Sequence, residues 1–430
     1  MNAWFYTLGC KVNQYETQAM RRLLEEQGYE TAEFEVGQPD VGEAMLVINS
    51  CTVTGESDRK LRQLLRRCRR EHPQAVLVLT GCFPQAFPSD AEALPEPDVI
   101  LGNAARRELP ERLQQFANEK RRVVAIAPHG KAYESLSICE FQGRTRAFVK
   151  IEDGCDRFCS YCIIPYARGR VRSKPLAELE IEVEQLAKQG YAEIVLVGIN
   201  LTAYGKDTGD TICDAVEAAA RPQGVQRVRL GSIEPDHLND KVIARLAACK
   251  KLCPQFHLAL QSGCDATLKR MNRHYTTAEY RDLCQKLRVA FPNCAITTDI
   301  MVGFPGETEE EFARSLAFAE EIGFSRMHCF PYSRRPGTPA AKALNQVPNA
   351  EKARRNKLMM AMAERGRERY ESALVGKTVT VLTETELPDG RVDGYTDTYV
   401  PVIVSGCTAG ELVNVRITAY ENGMCLGEAE

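Results

Sequence analysis

Six of the seventeen cysteines in this 430-residue chain fall into two groups of three that are suited to binding iron. The first group is Cys155, Cys159 and Cys162, which share one short segment with the spacing C-x3-C-x2-C. Three thiolates this close together are able to bind three irons of a cubane cluster, and the fourth iron then stays open to a small molecule. A zinc site completed by a distant His or Cys, or three incidental cysteines, is the alternative.

The second group, Cys10, Cys51 and Cys82, shares one predicted structural position. Each cysteine directly follows a strand-like run; the runs are WFYTLG, MLVINS and VLVLTG. Because neighbouring parallel strands present their carboxyl ends along one edge of a sheet, we expect the three thiols to converge there on a second cluster. The alternative is three small residues in tight turns. The other eleven cysteines, Cys139 among them, form no comparable set and are interpreted as structural.

Alternating strands and helices must position both groups. The strand runs WFYTLG, MLVINS, VLVLTG and DVILG, with helical patterns between them, predict a parallel, doubly wound α/β domain over residues 1–126. Six further strand–loop–helix units over 140–371 predict an open (βα)6 partial barrel, whose strands are RAFVKIE, EIVLVG, RVRLGS, FHLAL, AITTDIMVG and SRMHCF. Short strands separated by Gly and Asp turns over 373–430 predict a small antiparallel β-barrel.

Composition narrows the class of protein. The chain is 44% hydrophobic and 26% charged, its net charge is −3, and no stretch is apolar for long enough to cross a bilayer. The start lacks the basic and apolar segments of a signal peptide, so we expect a cytoplasmic protein without a membrane partner. In that reducing compartment, clustered cysteines more often hold metals than form disulfides.

One helix offers a basic face for nucleic acid. In SDRKLRQLLRRCRREH, apolar residues at helical spacing are predicted to be buried, which leaves Arg66, Arg67 and Arg70 facing outward among other cations. Such a face suits RNA phosphates, and an ordinary solvated helix face is the alternative. Arg168 and Arg335 follow barrel strands, so we expect them near the mouth of the barrel, also in reach of RNA.

These motifs together resemble the radical S-adenosylmethionine methylthiotransferase family. The loop GCDRFCSYC, the segments TLGCKVNQYET, NSCTVTGES and LTGCFPQ, and a tail similar to the TRAM domain occur in the family's order. The resemblance implies two [4Fe–4S] clusters, one on each cysteine group, and S-adenosylmethionine as cosubstrate, split to a 5′-deoxyadenosyl radical. It also implies that residues at the ends of the barrel strands bind this cosubstrate: Tyr161, Asn200, Glu234, Gln261, Asp299 and Gly303.

The implied reaction is methylthiolation of carbon 2 of an adenosine in tRNA. TLGCKVNQYET resembles the subgroup acting on N6-threonylcarbamoyladenosine at position 37, with isopentenyladenosine or a ribosomal protein as alternative substrates. One S-adenosylmethionine would donate the methyl group, and a second would yield the radical. The implied partners are the anticodon stem-loop and a reductase or flavodoxin-type electron donor. A carboxylated substrate needs a cation, for which we consider Arg168 or Arg335.

The charge of the tail and the number of cysteines per group bear on the RNA contacts and on the class of protein. The tail from residue 373 carries Lys377, Arg391 and Arg416 against nine acids, so its RNA contacts would need to be local or aromatic, for which we consider Tyr395 or Tyr399. The rival from another class is a non-catalytic iron–sulfur RNA-binding or electron-transfer protein. Electron carriers usually supply four cysteines per cluster, whereas both groups here supply three, which favours catalysis.

Overall fold

The first domain is built on a six-stranded parallel sheet, in a computed structural model that describes residues 2–138, 140, 141 and 145–430. Its strand order is β2-β1-β3-β4-β5-β6. The strands are β1 (Asn2–Thr7), β2 (Glu30–Glu33), β3 (Met45–Ser50), β4 (Val76–Gly81), β5 (Val99–Leu101) and β6 (Val123–Ala125). The helices are α1 (Lys11–Glu25), α2 (Gly55–Glu71), α3 (Cys82–Ala86), α4 (Pro88–Glu92) and α5 (Leu109–Glu119).

Side-chain alternation along the buried strands explains the two helical layers. On β3, Leu46 and Ile48 share a core with the apolar side of α2, and Met45 and Val47 share the opposite core with α1 and α5. Because successive residues of a strand point to opposite faces, one apolar strand supplies both cores. The predicted doubly wound sheet is confirmed. The short strands β2 and β6 were not predicted, since neither forms a long apolar run.

The second domain is the predicted open barrel of six parallel strands. They are β7 (Arg146–Lys150), β10 (Glu193–Val197), β11 (Arg227–Leu230) continued by β12 (Ser232–Ile233), β13 (Gln255–Leu258), β14 (Ala295–Val302) and β15 (Arg326–Pro331). A break at Gly231 divides the wall into sections ordered β11-β10-β7 and β12-β13-β14-β15. The antiparallel pair β8 (Glu152–Asp153) and β9 (Arg172–Ser173), which was not predicted, brackets the first cysteine group.

Helices surround the barrel, and one long helix leads out of it. They are α6 (Ile164–Arg168), α7 (Leu176–Lys188), α8 (Ile212–Ala220), α9 (Asp240–Ala248), α10 (Asp265–Arg270), α11 (Thr277–Ala290), α12 (Glu309–Ile322), α13 (Pro339–Lys342) and α14 (Asn349–Ser372). Capping boxes at Thr211, Thr276 and Thr308 begin α8, α11 and α12. None of the helices in the described ranges is both long and apolar enough to cross a membrane.

The third domain is the predicted small barrel, and it is closed. Its strands are β16 (Thr378–Glu386), β17 (Val392–Thr396), β18 (Pro401–Ser405), β19 (Leu412–Glu421) and β20 (Met424–Ala429), in the order β16-β17-β18-β20-β19. All pairs are antiparallel except β18 with β20. Valines and one isoleucine fill its core, chiefly Val381, Val402, Val404, Val415 and Ile417.

The loop between β17 and β18 covers the amino end of the large barrel. Tyr395 and Tyr399 stack with ring centroids 4.8 Å apart, and the guanidinium of Arg146 lies 4.9 and 5.1 Å from those rings. Arg229 lies 4.9 Å from the Tyr399 ring and pairs with buried Glu193 at 2.9 Å. Both rings thus pack against arginines of the barrel, and RNA contact by these tyrosines stays a prediction.

A buried ionic cluster joins the first two domains. Glu16 on α1 has no exposed side-chain surface and lies 2.6 Å from Arg106, 2.9 Å from Lys150 and 2.6 Å from Arg168. Burial alone would raise the pKa of Glu16, but the three cations outweigh it and lower the pKa to about 2. Asp153 of the barrel lies 3.2 Å from both Lys150 and Arg168. The interface therefore depends on charges that each domain supplies only in part.

Replacing Glu16 with Gln keeps the side-chain size and leaves the three cations short of one carboxylate. We expect the variant to lose about 3–5 kcal/mol of the free energy that holds the first domain on the barrel, the usual cost of breaking a buried ion pair from one side. Hydrogen exchange of the α1 and α6 amides measures this opening free energy. Glu184→Gln, which removes a half-exposed partner of Lys188, is the control and should change it by less than about 1 kcal/mol.

The lowered pKa of Glu16 also makes the stability of the interface between the first two domains depend on pH. Because its pKa of about 2 lies below its usual 4.5, the carboxylate contributes stability that is fully present above pH 4.5 and is lost as the pH falls toward 2. Amide protection of α1 should decline over this range in the wild type and not in the Glu16→Gln variant. Equal acid sensitivity of the two proteins would show that another group is responsible.

Candidate iron–sulfur and cosubstrate site

The first cysteine group lies in the loop between β8 and α6, beyond the carboxyl end of β7. Phe158 takes a left-handed conformation with φ +49°, and the Cys162 amide donates to the Cys159 carbonyl at 2.9 Å, so the loop turns tightly. Burial raises the pKa of Cys155 and of Cys162 to about 12, and the charge of Cys159 adds to both shifts. Cys155 and Cys162 therefore both lie within electrostatic reach of Cys159. A thiol with a raised pKa needs a nearby positive charge, such as that of bound iron, in order to ionise.

Arg273 is a neighbour of this group that the sequence did not reveal. Its guanidinium lies 3.3 Å from the Cys159 sulfur and also pairs with Glu234, at 3.2 Å for the Nη1–Oε1 contact. The side chain is buried and contacts the Tyr275 ring from 5.0 Å. A positive charge beside one thiol stabilises its ionised form. Arg273 stands in a loop after α10, where its spacing from the cysteines gives no signal.

The second cysteine group lies at one edge of the first domain, at the ends of the adjacent strands β1, β3 and β4. A Cβ on Gly9 would lie 2.9 Å from the Cys51 Cβ, and one on Gly81 would lie 2.3 Å from the Ser50 carbonyl oxygen. Both glycines also have positive φ, +124° and +102°. Gly is thus required before Cys10 and before Cys82, because a side chain there would force these loops apart.

Asparagines hold two of these sulfurs. The Cys10 thiol donates to Asn13 Oδ1 at 3.3 Å, and Asn103 Nδ2 donates to the Cys82 sulfur at 3.6 Å. Burial and then the charge of Cys82 raise the pKa of Cys51 to about 12. Asn13 lies within the motif TLGCKVNQYET and was within reach of prediction, whereas nothing in the sequence marks Asn103.

Neither group is arranged around one metal ion. Over residues 2–138, 140–141 and 145–430, no three side chains of His, Cys, Asp or Glu lie close enough to share a single ion. A cubane cluster has a different requirement, because each thiolate binds its own iron at a separate corner. Three thiols per group, with no fourth protein ligand required, fit that arrangement. Cys139 lies outside the described residues.

A cavity beside Cys162 of the first group is lined by both domains. Its wall combines Val53 and Thr54 of the first domain with barrel residues; these are Tyr161, Cys162, Ile163, Ile164, Gln261, Asp299, Met301, Phe330, Pro331 and Ser333. Gln261 is buried, and its Oε1 atom has no hydrogen-bond partner, so this oxygen is free for a ligand. The carboxylate of Asp299 lies 3.3 Å from Nε2 of His257, a residue that the sequence did not single out.

Three of the six expected cosubstrate residues are therefore at the cavity, and three lie elsewhere. Asn200 is buried with its amide donating to Glu152 at 2.7 Å, and Glu234 pairs with Arg273. At Gly303 a Cβ would come within 2.4 Å of Lys352 Cγ, so its small size serves the packing of α14. Cosubstrate binding by these three stays a prediction.

The predictions for Arg168 and Arg335 as accessible cations are wrong. Arg168 is fully buried and bonds both carboxylate oxygens of Glu16, at 2.6 and 3.0 Å. Arg335 is 2% exposed and donates to Thr52 at 2.8 Å and to Asp58 at 2.7 Å. Both arginines lie between the domains and already have partners, so neither is open to an RNA phosphate or a substrate carboxylate. Their partners are distant in sequence.

The basic face of α2, formed by Arg66, Arg67 and Arg70, does reach solvent. The side chains of Arg66 and Arg70 are 69% and 70% exposed, and that of Arg67 is 43% exposed. The apolar side of the helix is buried as predicted. Glu71 pairs with Arg67 at 2.8 Å and with Arg70 at 3.0 Å, which reduces the net charge of the face without covering it.

Comparison with known proteins places this architecture in a family. The chain matches family models described as Uncharacterized protein family UPF0004 over residues 2–102, Radical SAM superfamily over 149–319 and TRAM domain over 372–429. Radical S-adenosylmethionine methyltransferase TsrM from Kitasatospora setae shares the fold, with a TM-score of 0.58 and 15% identity, over 79% of this chain and 77% of that chain.

Curated relatives extend over almost the whole chain. It is 40% identical to threonylcarbamoyladenosine tRNA methylthiotransferase MtaB of Bacillus subtilis, over 96% of this chain and 93% of that protein. It is 36% identical to tRNA-2-methylthio-N(6)-dimethylallyladenosine synthase of Clostridium novyi, over 98% and 95%. S-adenosylmethionine and a [4Fe–4S] cluster are the cofactors of the superfamily, and the first cysteine group and the cavity beside it fit them. The chain therefore belongs to the radical S-adenosylmethionine tRNA methylthiotransferases.

Proposed function

We propose that this enzyme attaches a methylthio group to carbon 2 of N6-threonylcarbamoyladenosine at position 37 of tRNA. The observation that carries this proposal is one cavity bounded on one side by Cys162 and on the other by Val53 and Thr54, two and three residues after Cys51. A substrate in this cavity is within reach of both cysteine groups. The threonylcarbamoyl form is favoured by the relatives of that name in Bacillus subtilis and Thermotoga maritima, 40% and 39% identical to this chain.

Two clusters and two S-adenosylmethionine molecules per product are part of the proposal. Cys155, Cys159 and Cys162 would hold one [4Fe–4S] cluster, and Cys10, Cys51 and Cys82 the other. When bound, the first supplies the electron that cleaves S-adenosylmethionine to a radical, and the second supplies the site for sulfur. Radical chemistry suits the substrate, because the carbon 2–hydrogen bond of adenine offers no acidic proton to a general base.

The residues around the cavity include polar groups that are suited to binding a polar cosubstrate. Gln261 offers its unpaired Oε1 atom to a donor, and Asp299 offers a carboxylate held by His257. Burial acts to raise the pKa of Asp299, but the hydrogen bond and charge of His257 outweigh it, so the pKa is lowered and the carboxylate stays ionised. The Ser333 hydroxyl accepts from the Gly55 amide at 3.0 Å, which holds the two walls of the cavity together.

The macromolecular partners follow from the reaction. We propose that the anticodon stem-loop binds across the cavity, with the basic face of α2 as one phosphate-binding surface. A reductase or flavodoxin-type protein would supply the electron. Because the proposed substrate is tRNA, we also propose a cytoplasmic location.

The iron content of cysteine variants distinguishes the two proposed clusters. Replacing Cys155, Cys159 and Cys162 together with Ala should leave about half of the wild-type iron and abolish formation of 5′-deoxyadenosine, on the basis of three thiolates per cluster. Replacing Cys10, Cys51 and Cys82 should also halve the iron, yet leave cleavage of S-adenosylmethionine and remove sulfur insertion. Cys213→Ala, a buried cysteine on α8, is the control with full iron. Methylthiolated product from the second variant would contradict the assigned sulfur site.

Stem-loop substrates that carry different modifications test which nucleoside the enzyme accepts. Threonylcarbamoyladenosine carries a carboxylate, a hydroxyl and a urea, whereas isopentenyladenosine carries a branched alkyl group. A site built for polar groups rejects an apolar analogue by about 10⁴-fold, because its own buried partners are left unpaired. We expect efficient methylthiolation of the threonylcarbamoylated stem-loop and almost none of the isopentenylated one, with the unmodified stem-loop as control. Comparable rates on both modified forms would refute the assignment and leave the radical chemistry intact.

Salt dependence tests the basic face of α2. Reversing the charge of Arg66, Arg67 and Arg70 to Glu should weaken tRNA binding and lower the slope of log K against log salt by about 0.9 for each phosphate that the variant no longer neutralises. Equal reversal on the outside of the barrel, at Lys188, Arg221 and Lys286, is the matched control. If both triple variants keep the wild-type slope, the face is only solvated.

A further inference from the structure

The buried charges between the first domain and the barrel carry one positive charge in excess. The carboxylates are Glu16, Glu134 and Asp153, and the cations within reach of them are Arg106, Lys150, Arg168 and Arg172. Glu152 nearby does not cancel the excess, because burial raises its pKa to about 8 and it is mostly protonated at neutral pH. Three carboxylates face four cations, and an isolated buried charge is unfavourable. The arrangement therefore calls for a further anion.

The second cysteine group lies beside Arg168, separated from it by Asn13. Arg168 Nη2 donates to Asn13 Oδ1 at 3.3 Å, and the same oxygen accepts the Cys10 thiol at 3.3 Å. Asn103 donates to the sulfur of Cys82 and, at 2.9 Å, to the carbonyl of Ala167. One asparagine thus connects Arg168, and another its neighbour Ala167, to a cysteine of the other domain.

Chain connectivity couples Arg168 to the first cysteine group as well. Helix α6 begins two residues after Cys162 and ends at Arg168. The Arg172 guanidinium donates to the Arg168 carbonyl at 3.0 Å, which holds the end of this helix. One short helix therefore carries the last cysteine of the first group near its start and a charged contact to the second group at its end.

We propose that Arg168 is a positioning residue of the cluster held by Cys10, Cys51 and Cys82, and that its guanidinium is the buried counter-charge of that cluster. This inference rests on the second cluster of the proposed function. A cluster with three thiolates is anionic and gains further negative charge on reduction, so an adjacent fixed cation favours the reduced state and raises the reduction potential. The sulfur site would reach its working potential only when the two domains are docked.

Redox titration followed by electron paramagnetic resonance tests this inference without recourse to turnover. The full chain with Cys155, Cys159 and Cys162 replaced by Ala serves as background, so that only the second cluster is observed. Arg168→Met in this background should lower the equilibrium constant for reduction about tenfold, a shift of about 59 mV to more negative potential for one electron. Arg168→Lys should retain most of the wild-type potential, because it keeps the charge.

Arg229→Met is the matched control, since Arg229 is equally buried in the barrel and pairs with Glu193, away from both cysteine groups. Its midpoint potential should equal that of the background. An Arg168→Met protein with that same potential would overturn the inference, whereas a background that holds no iron would overturn the second cluster itself. If Arg168→Met does not fold, Arg168→Gln replaces it: loss of the charge with part of the polar contact kept should shift the potential in the same negative direction, and an unchanged potential would overturn the inference.

Discussion

The buried carboxylate of Glu16 is the contact on which the relation between the two cysteine groups depends. It lies on α1, the helix that Cys10 begins, and it binds Lys150 of β7 and Arg168 at the end of α6. Ions removed from water require partners in specific directions, so such a cluster has few alternative arrangements. A purely apolar interface of the same area would tolerate sliding. The ionic cluster instead favours one arrangement of the first domain on the barrel.

The same logic explains how the third domain is attached. Its β17–β18 loop does not use an apolar patch but a stack of Tyr395 and Tyr399 against Arg146 and Arg229, whose charges are balanced by Glu193. Burial acts to raise the pKa of Glu193, yet Arg229, Arg227 and Arg146 lower it to about 2. At both interfaces, a carboxylate without exposure organises several cations. The acidic TRAM domain is therefore placed by contacts to the barrel.

Much of the architecture was predictable from the sequence, because the signals are local. Apolar strand runs separated by helical patterns predicted the doubly wound sheet, the six-stranded open barrel and the small C-terminal barrel. The C-x3-C-x2-C spacing placed Cys155, Cys159 and Cys162 in one loop, since residues seven apart cannot lie far from each other. Strands β2 and β6, and the pair β8 and β9, were missed because strands of two to four residues produce almost no periodic signal.

By itself, the sequence located the long apolar strands and therefore placed Cys10, Cys51 and Cys82 at the ends of parallel strands. Only the tertiary structure decided what lies beside them. The sequence predicted that Arg168 and Arg335 are accessible cations. The fold instead buries both of them against carboxylates or hydroxyls of the other domain. Arg273, Asn103 and His257 acquire their places at the site through contacts across large sequence separations. Periodicity and spacing report neighbours along the chain, whereas burial and charge pairing depend on which elements meet in space.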